Sequence, residues 1–408
     1  MWVEDIWFKK SKIFRDERKL MFDYIPKVLP HRKEEMLKLG EYFKEFILNP
    51  GSISVKVILV GGIGTGKTVV AKSFGKKIEE FSRTKSKSEI RYAHVNCHAH
   101  RTLFSIMQKI SAELRLSIPR RGFSREELIY LLWNYLESSD KYLIATIDEA
   151  DFLARTSGFE AIYELTRLSE IVNKEKMRIS LIFIFRDLSS LLSLEKSAQS
   201  TLSHNIIRFE PYTSDQIFDI LWARIKEEGA IYEEAINDEV IELIGELVGF
   251  DKGGTGDARL AIEILHRAGK YAEFEDREVI IPEDVRKAYN DVIPSFPKEE
   301  IKALKLNEKI LLLALVRLLQ RKKYITKVPL GILEFEYNEL CEEYGIKPRR
   351  HTTLWEYVQH LKNMDIISAE KSKRGYRGKT TLVGISSVPL QTLEKLLKEE
   401  IERDLGIS

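Results

Sequence analysis

A chain of 408 residues is too long for one ordinary domain and points to two or three. With 44% hydrophobic and 31% charged residues it can build a sizeable core, which excludes a largely disordered chain. Lys and Arg total 65 against 63 Asp and Glu, so the net charge of +2 names no partner and only local clusters can do so. The two cysteines, Cys97 and Cys341, are far apart, which fits a reducing compartment better than a disulfide scaffold. His98 and His100 follow Cys97 closely, but no second cysteine pair completes a zinc pattern. The opening Met1-Trp2-Val3-Glu4-Asp5 is acidic and lacks an apolar stretch, and no apolar run reaches the roughly 18 residues that span a bilayer. The expectation is a cytoplasmic protein without a membrane partner.

In chain order, the first forty or so residues are charged and punctuated by Pro26 and Pro30, which reads as an extended arm leading into a helix. From Val55 to about Phe209, apolar runs of strand length alternate with amphipathic stretches: 55–60, 92–95, 142–147, 179–185 and 206–209. Their unbroken apolarity predicts strands buried on both faces, as in a parallel α/β sheet. Beyond Pro211 the strands cease and helical patterns follow at 214–227, 238–248 and 256–272, a separate helical subdomain. Pro294-Ser295-Phe296-Pro297 marks a boundary, since two prolines cannot sit inside a helix. Helical patterns then run over 307–321, 332–344 and 352–364, with strand-like pieces at 366–369 and 380–383 closing the set. The domains expected are 1–211 (arm and α/β base), 212–296 (helical subdomain) and 297–408 (helices closed by two short strands).

The sharpest motif is Gly61-Gly62-Ile63-Gly64-Thr65-Gly66-Lys67-Thr68, which fits G-x-x-x-x-G-K-[ST] and lies straight after a buried strand and before a helix. Glycines let consecutive N–H groups point at phosphate oxygens, and the following helix presents its positive end. Gly62, Gly64, Thr65, Gly66, Lys67, Thr68 and Val69 are therefore the candidate cradle for ATP or ADP. Lys67 would reach the β and γ phosphates, and Thr68 would ligate Mg2+. A second acidic element, Tyr142-Leu143-Ile144-Ala145-Thr146-Ile147-Asp148-Glu149, ends another buried strand. Asp148 is the expected second metal partner, through water, and Glu149 the carboxylate that orients or deprotonates the attacking water.

These motifs, with Asp148-Glu149-Ala150-Asp151 and Gly256-Asp257-Ala258-Arg259, resemble the AAA+ ATPases. More narrowly, the chain is similar to the archaeal replication initiators, relatives of the largest subunit of the eukaryotic origin recognition complex and of its cell-division-cycle loading partner. The likeness covers nearly the whole chain, including Ile13-Phe14-Arg15-Asp16, Leu29-Pro30-His31-Arg32, the Tyr92–Cys97 strand and Phe209-Glu210-Pro211-Tyr212. It implies a P-loop AAA+ parallel-sheet domain with a helical lid, followed by a winged-helix domain. Arg259 resembles the family's sensor-2 arginine, which reaches from the lid to the phosphates. The Tyr24–Arg32 segment resembles the stretch beside the adenine, making Ile25 and Pro26 candidate base contacts. Two departures bear on activity. Arg186 stands where the family usually carries a polar sensor-1 residue, often asparagine, and Ser197 stands where relatives often place an arginine. Together they imply slow hydrolysis with a long-lived bound nucleotide, an expectation that turnover faster than about one per second would defeat.

The C-terminal unit reads as a helix-turn-helix with a β wing. Lys347-Pro348-Arg349-Arg350-His351-Thr352-Thr353 opens its second helix, where Arg349, Arg350, Thr352 and Thr353 could meet phosphates or base edges. Trp355, Val358 and Leu361 recur at helical spacing and are read as core. The stretch Lys371–Lys379 carries five basic residues and no acid, so Lys373, Arg374, Tyr376, Arg377 and Lys379 form the candidate wing contact. Arg120 and Arg121 precede a Ser124–Glu127 capping box and resemble the insertion with which such initiators grip DNA beside the nucleotide module. The leading expectation is a double-stranded DNA binder at replication origins, controlled by bound nucleotide, working beside a related initiator and aiding recruitment of the replicative helicase. A hydrolysis-driven loader or remodeller of a protein complex is the alternative, and a DNA-binding regulator with a structural nucleotide is a third. The altered positions at 186 and 197 weaken the motor reading.

Overall fold

The computed structural model describes residues 10–85, 88–116, 122–168, 175–187, 205–293, 298–322, 325–364, 366–371, 380–385 and 388–406. Two compact units are built, one from Ile25–Tyr212 and the other from 1–24 together with 213–408.

The first unit opens with helix α1 (Lys33–Leu48) and then alternates β1 (Lys56–Val60), α2 (Lys67–Lys85), β2 (Glu89–Asn96), α3 (Leu103–Glu113), α4 (Arg125–Ser138), β3 (Lys141–Asp148), α5 (Ala150–Thr166), β4 (Ile179–Phe185) and β5 (Ile206–Arg208). The five strands are parallel in the order β2-β3-β4-β1-β5. Because side chains alternate across a strand, the apolar runs feed two cores. Val57 and Leu59 of β1 join Ile144 of β3 and Ile182 and Ile184 of β4 against Phe43 and Phe46 of α1 and Phe74 of α2. Ile58 and Val60 join Ile147, Phe183 and Phe185 on the opposite face, under Ile106 of α3, Trp133 of α4 and Leu153 of α5. The Ser124–Glu127 capping box forms at the start of α4, with each side chain bonded to the other residue's backbone N–H. This sheet puts the C-terminal ends of β1, β3 and β4 side by side, and the loop after β1 and the acids ending β3 lie there.

In the second unit, α6 (Ser214–Lys226), α7 (Asp238–Val248), α8 (Ala258–Phe274) and α9 (Pro282–Val292) form the helical lid. Residues 10–24, expected to belong to the arm, pack on those lid helices: Phe14 bridges Ile231, Glu17 bonds His266 and Lys270, and the Tyr24 hydroxyl donates to Glu228 at 2.5 Å. After α10 (Lys298–Lys302) come α11 (Leu306–Arg321), β6 (Lys327–Pro329), α12 (Leu330–Glu343), α13 (His351–Asn363), β7 (Ser368–Lys371), β8 (Thr381–Gly384) and α14 (Leu390–Leu405). The small antiparallel sheet has the order β6-β8-β7. Strand β6 and helix α14 were absent from the sequence reading. The helix is nonetheless amphipathic, with Leu390, Leu393, Leu397 and Ile401 buried at helical spacing.

Lid and winged helix are fastened by charge. Glu370 on β7 accepts from Lys252 at 2.9 Å and from Lys327 at 3.1 Å, and Lys327 also pairs with Glu246 of α7. The fully buried Arg286 of α9 donates to the carbonyl of Ile385 at 2.9 Å, and Glu283 accepts from the backbone N–H of Leu390. The hydrogen bond from Lys252 draws the Glu370 carboxyl from 4.5 down to about 2, with Lys327 reinforcing it against partial burial. A carboxyl depressed in the folded state stabilises fully above its unfolded value, and that contribution is lost as pH falls through the folded one. Between about pH 4.5 and 2 the wild-type melting temperature is therefore expected to lose a component that Glu370→Gln lacks. Parallel melting curves for the two proteins over that window would remove Glu370 from the network.

Candidate nucleotide site and DNA-facing helix

The loop between β1 and α2 is shaped by its glycines. Gly66 has φ +92, and a Cβ there would fall 2.7 Å from the Tyr212 hydroxyl oxygen. A Cβ on Gly61 would fall 2.3 Å from the Phe209 carbonyl oxygen, so the chain leaving β5 passes too close for any side chain. The Lys67 ammonium lies inside the loop, donating to the carbonyls of Gly61 at 2.7 Å and Gly62 at 2.5 Å, with the Thr65 hydroxyl at 3.3 Å. Thr65 and Lys67 are buried, while Gly62 and Ile63 face solvent.

Arg32 braces this loop from behind. Its side chain is almost wholly buried, and its guanidinium donates to the Thr65 carbonyl at 2.9 Å, to the Glu210 carbonyl at 2.8 Å and to Glu35 at 3.1 Å. It also lies over the Tyr212 ring at 4.0 Å. One cation thus ties Leu29-Pro30-His31-Arg32 to the phosphate loop and to Phe209-Glu210-Pro211-Tyr212.

Across from the loop, the Thr68 hydroxyl donates to Asp148 Oδ2 at 2.8 Å, and His94 Nε2 lies 3.0 Å from the same oxygen. The other oxygen, Oδ1, accepts from the Glu149 backbone N–H at 2.9 Å. Burial opposes the Asp148 charge, but hydrogen bonds from His94, Thr68 and the Glu149 N–H outweigh it and hold the carboxyl below its usual value. A hydroxyl beside a charged carboxylate is the oxygen donor set that Mg2+ uses alongside phosphate and water, so these residues fit that ion. Glu149 adopts φ 56, ψ 45, the left-handed region that a non-glycine residue enters at a cost, here at the joint between β3 and α5. Its oxygens accept from Asn96 Nδ2 at 3.0 Å and from the Arg186 guanidinium at 2.9 Å.

In the second unit, Asp257 caps α8 by accepting from the backbone N–H groups of Arg259 and Leu260, which places exposed Arg259 in the first turn. In the winged helix, the buried Tyr337 hydroxyl donates to Asn307 at 2.7 Å and accepts from the Arg349 N–H at 3.3 Å, fixing the turn before α13. Lys347, Arg349, Arg350 and Thr352 are exposed there, and Thr353 is half-buried.

Comparison with known proteins agrees with both halves. The family described as AAA domain matches residues 56–191, Cdc6 AAA+ ATPase-type lid domain matches 218–290, and CDC6, C terminal winged helix domain matches 299–395. ORC1-type DNA replication protein 2 of Sulfolobus acidocaldarius is 39% identical over 405 residues, covering 99% of this chain and 97% of that protein. The chain belongs to the ORC1-type DNA replication proteins. Among solved structures, Cdc6p from Pyrobaculum aerophilum is similar with a TM-score of 0.82 at 33% identity, covering 96% of this chain and all of that one. The Aeropyrum pernix ORC1 protein in complex with DNA aligns with a TM-score of 0.61 at 27% identity over 97% of this chain and 98% of that one. The archaeal-initiator resemblance and the AAA+, lid and winged-helix architecture expected from sequence are thus borne out.

Several expected site residues of this ORC1-type chain are only partly located by the structure. Pro26 is buried and Ile25 and Val69 are half-buried within the first unit. Arg120, Arg121, Ser197, Lys373, Arg374, Tyr376, Arg377 and Lys379 lie outside the described residues. One reading is corrected: Trp355 is not core but 40% exposed, because Leu354 takes the inward position of that turn, with Val358 and Leu361. Arg32, His94 and Asn96 were missed as site residues. The family signature at 29–32 was the available signal for Arg32. For His94 and Asn96 it was their place on the strand paired with β3, where His94 faces Thr146 and Asn96 faces Asp148 in register. Among the described residues no helix is long and apolar enough to cross a membrane.

Proposed function

We propose that this chain is a double-stranded DNA-binding initiator at replication origins whose DNA-bound state is governed by ATP or ADP held with Mg2+. The observation that carries the reading is the pairing, in one chain, of the Thr68–Asp148 contact under a glycine-shaped phosphate loop with a helix-turn-helix that exposes Arg349, Arg350 and Thr352. The Pyrobaculum and Aeropyrum relatives support it, the latter by its complex with DNA. In the proposal, Lys67 and the backbone N–H groups of residues 62–69 hold the phosphates, Thr68 and Asp148 hold the metal, and Ile25 and Pro26 contact the base. Glu149 orients the attacking water, and Arg259 reports the phosphates to the lid. Bound Mg2+ would supply charge neutralisation at the phosphates. Hydrolysis is slow, and a related initiator on adjacent DNA and the replicative helicase are the protein partners. The division into 1–211, 212–296 and 297–408 belongs to the same proposal.

The DNA contacts divide between α13 and the basic stretch between β7 and β8, with Arg120 and Arg121 as a further contact. Each lysine or arginine that meets a phosphate releases about one counterion, so log affinity falls with log salt in proportion to their number. Replacing Arg374 and Arg377 by alanine is expected to weaken binding and flatten the salt slope by about one unit per lost contact. An unchanged slope would remove the wing from the interface. The reading as a whole is tested by titrating origin and random duplexes at several salt concentrations while assaying nucleotide retained in the same preparation. Preference for origin DNA with retained nucleotide is the expected result; equal weak binding to every duplex favours a protein-directed loader.

A further inference from the structure

Slow hydrolysis was expected because Arg186 and Ser197 replace the usual residues, yet the geometry around Arg186 gives it a more specific part. Arg186 follows β4 directly, and β4 lies between β1, which leads into the phosphate loop, and β3, which ends at Asp148. The Gly61 N–H donates to the Phe185 carbonyl at 3.4 Å, so Arg186 emerges beside the loop. Its own backbone N–H donates to Asp151 Oδ1 at 3.0 Å, fixing where its side chain starts. From there Nη2 donates to Glu149 Oε1 at 2.9 Å. The second carboxylate oxygen accepts from Asn96 at 3.0 Å and has His98 Nε2 at 3.7 Å. Both oxygens of the residue placed to activate water are therefore engaged by donors, one of them a permanent cation.

A carboxylate that is to orient water or take its proton needs a lone pair directed at that water. A guanidinium on one oxygen and an amide on the other occupy a lone pair on each, fix the direction of those that remain and offset the charge that would draw a proton from water.

We propose that Arg186 is a clamp: a positioning residue that holds Glu149 out of use and makes slow turnover a property of the single chain. The proposal rests on the ATPase reading above. It predicts that Arg186→Met raises kcat about twofold to fivefold, the scale expected for releasing a partly exposed ion pair, with KM changed less. Arg186→Lys keeps the charge without the planar fork and should fall between the two.

The experiment measures Mg-ATP hydrolysis, by single turnover where steady state is too slow, for the wild type, Arg186→Met, Arg186→Lys, Glu149→Gln and the Arg186→Met/Glu149→Gln double variant. Melting of all five without nucleotide reports the pair independently of activity. Support consists of faster turnover in Arg186→Met, none in either Glu149→Gln background, and melting shifts of the two single changes that fail to add in the double variant. The clamp is overturned if Arg186→Met turns over at or below the wild-type rate, including no turnover in both, or if the melting shifts add. Should Glu149→Gln hydrolyse like the wild type, the role given to Glu149 fails, and the clamp with it. An Arg186→Met protein that does not fold leaves Arg186→Lys to decide, by whether its rate exceeds that of the wild type.

Discussion

Lys67→Ala should lower affinity for ATP and ADP by about 100-fold or more, measured by titration with a fluorescent nucleotide. The ammonium is buried among the Gly61 and Gly62 carbonyls and the Thr65 hydroxyl, inside the glycine-shaped loop proposed to hold the phosphates. Hydrogen bonds to a charged group contribute about 1.5–3 kcal/mol each, and losing two of them corresponds to about two or more decades in affinity. Lys67→Met retains the aliphatic stem and separates lost charge from lost packing. A loss below tenfold in both variants would mean that this ammonium does not meet phosphate. DNA affinity of the isolated winged helix does not bear on this site, so the full-length protein carries the comparison.

Arg32→Ala should destabilise the first unit by about 3 kcal/mol, because it removes a buried cation from three carbonyls, a carboxylate and an aromatic face at once. For a unit of this size that is a fall of about 6 to 12 °C in melting temperature. Since Arg32 holds the Thr65 carbonyl, nucleotide affinity should drop with it, by about tenfold at temperatures where the variant is folded. Arg32→Lys should not restore either property, because one ammonium cannot span the Thr65 and Glu210 carbonyls while covering the Tyr212 ring. Unchanged melting would show that the brace is dispensable.

The contrast between these two residues explains what could be read from the sequence. Lys67 belongs to a motif of consecutive residues, and strand, loop and helix follow within one stretch of chain, so its place in the fold was legible. Arg32 acts on a carbonyl 33 residues away and another 178 residues away, and carbonyl partners leave no mark on residue identity. Asp148 and Glu149 were placed correctly at a strand end, whereas their partners His94, Asn96 and Arg186 come from neighbouring strands whose register no single segment specifies. Trp355 was misread because periodicity with a spacing of three admits it as well as Leu354 to the inward face. Only the packing of α13 on the core around Tyr337 and Leu340 chooses between them. The Glu149 backbone conformation had no sequence signal at all, since it is imposed where β3 turns into α5.

The contacts joining lid to winged helix also govern how such proteins can be recombined. A chimera cut at the proline-rich boundary near residue 296 would give Lys327 and Glu370 a foreign lid in place of Glu246 and Lys252, and would separate Arg286 from the Ile385 carbonyl. A cut near residue 212 would carry those pairs across intact, although it would part the lid from residues 10–24. For moving a winged helix between relatives, the cassette that keeps these contacts is therefore the lid and winged helix together with residues 10–24, even though the boundary between lid and winged helix falls near residue 296.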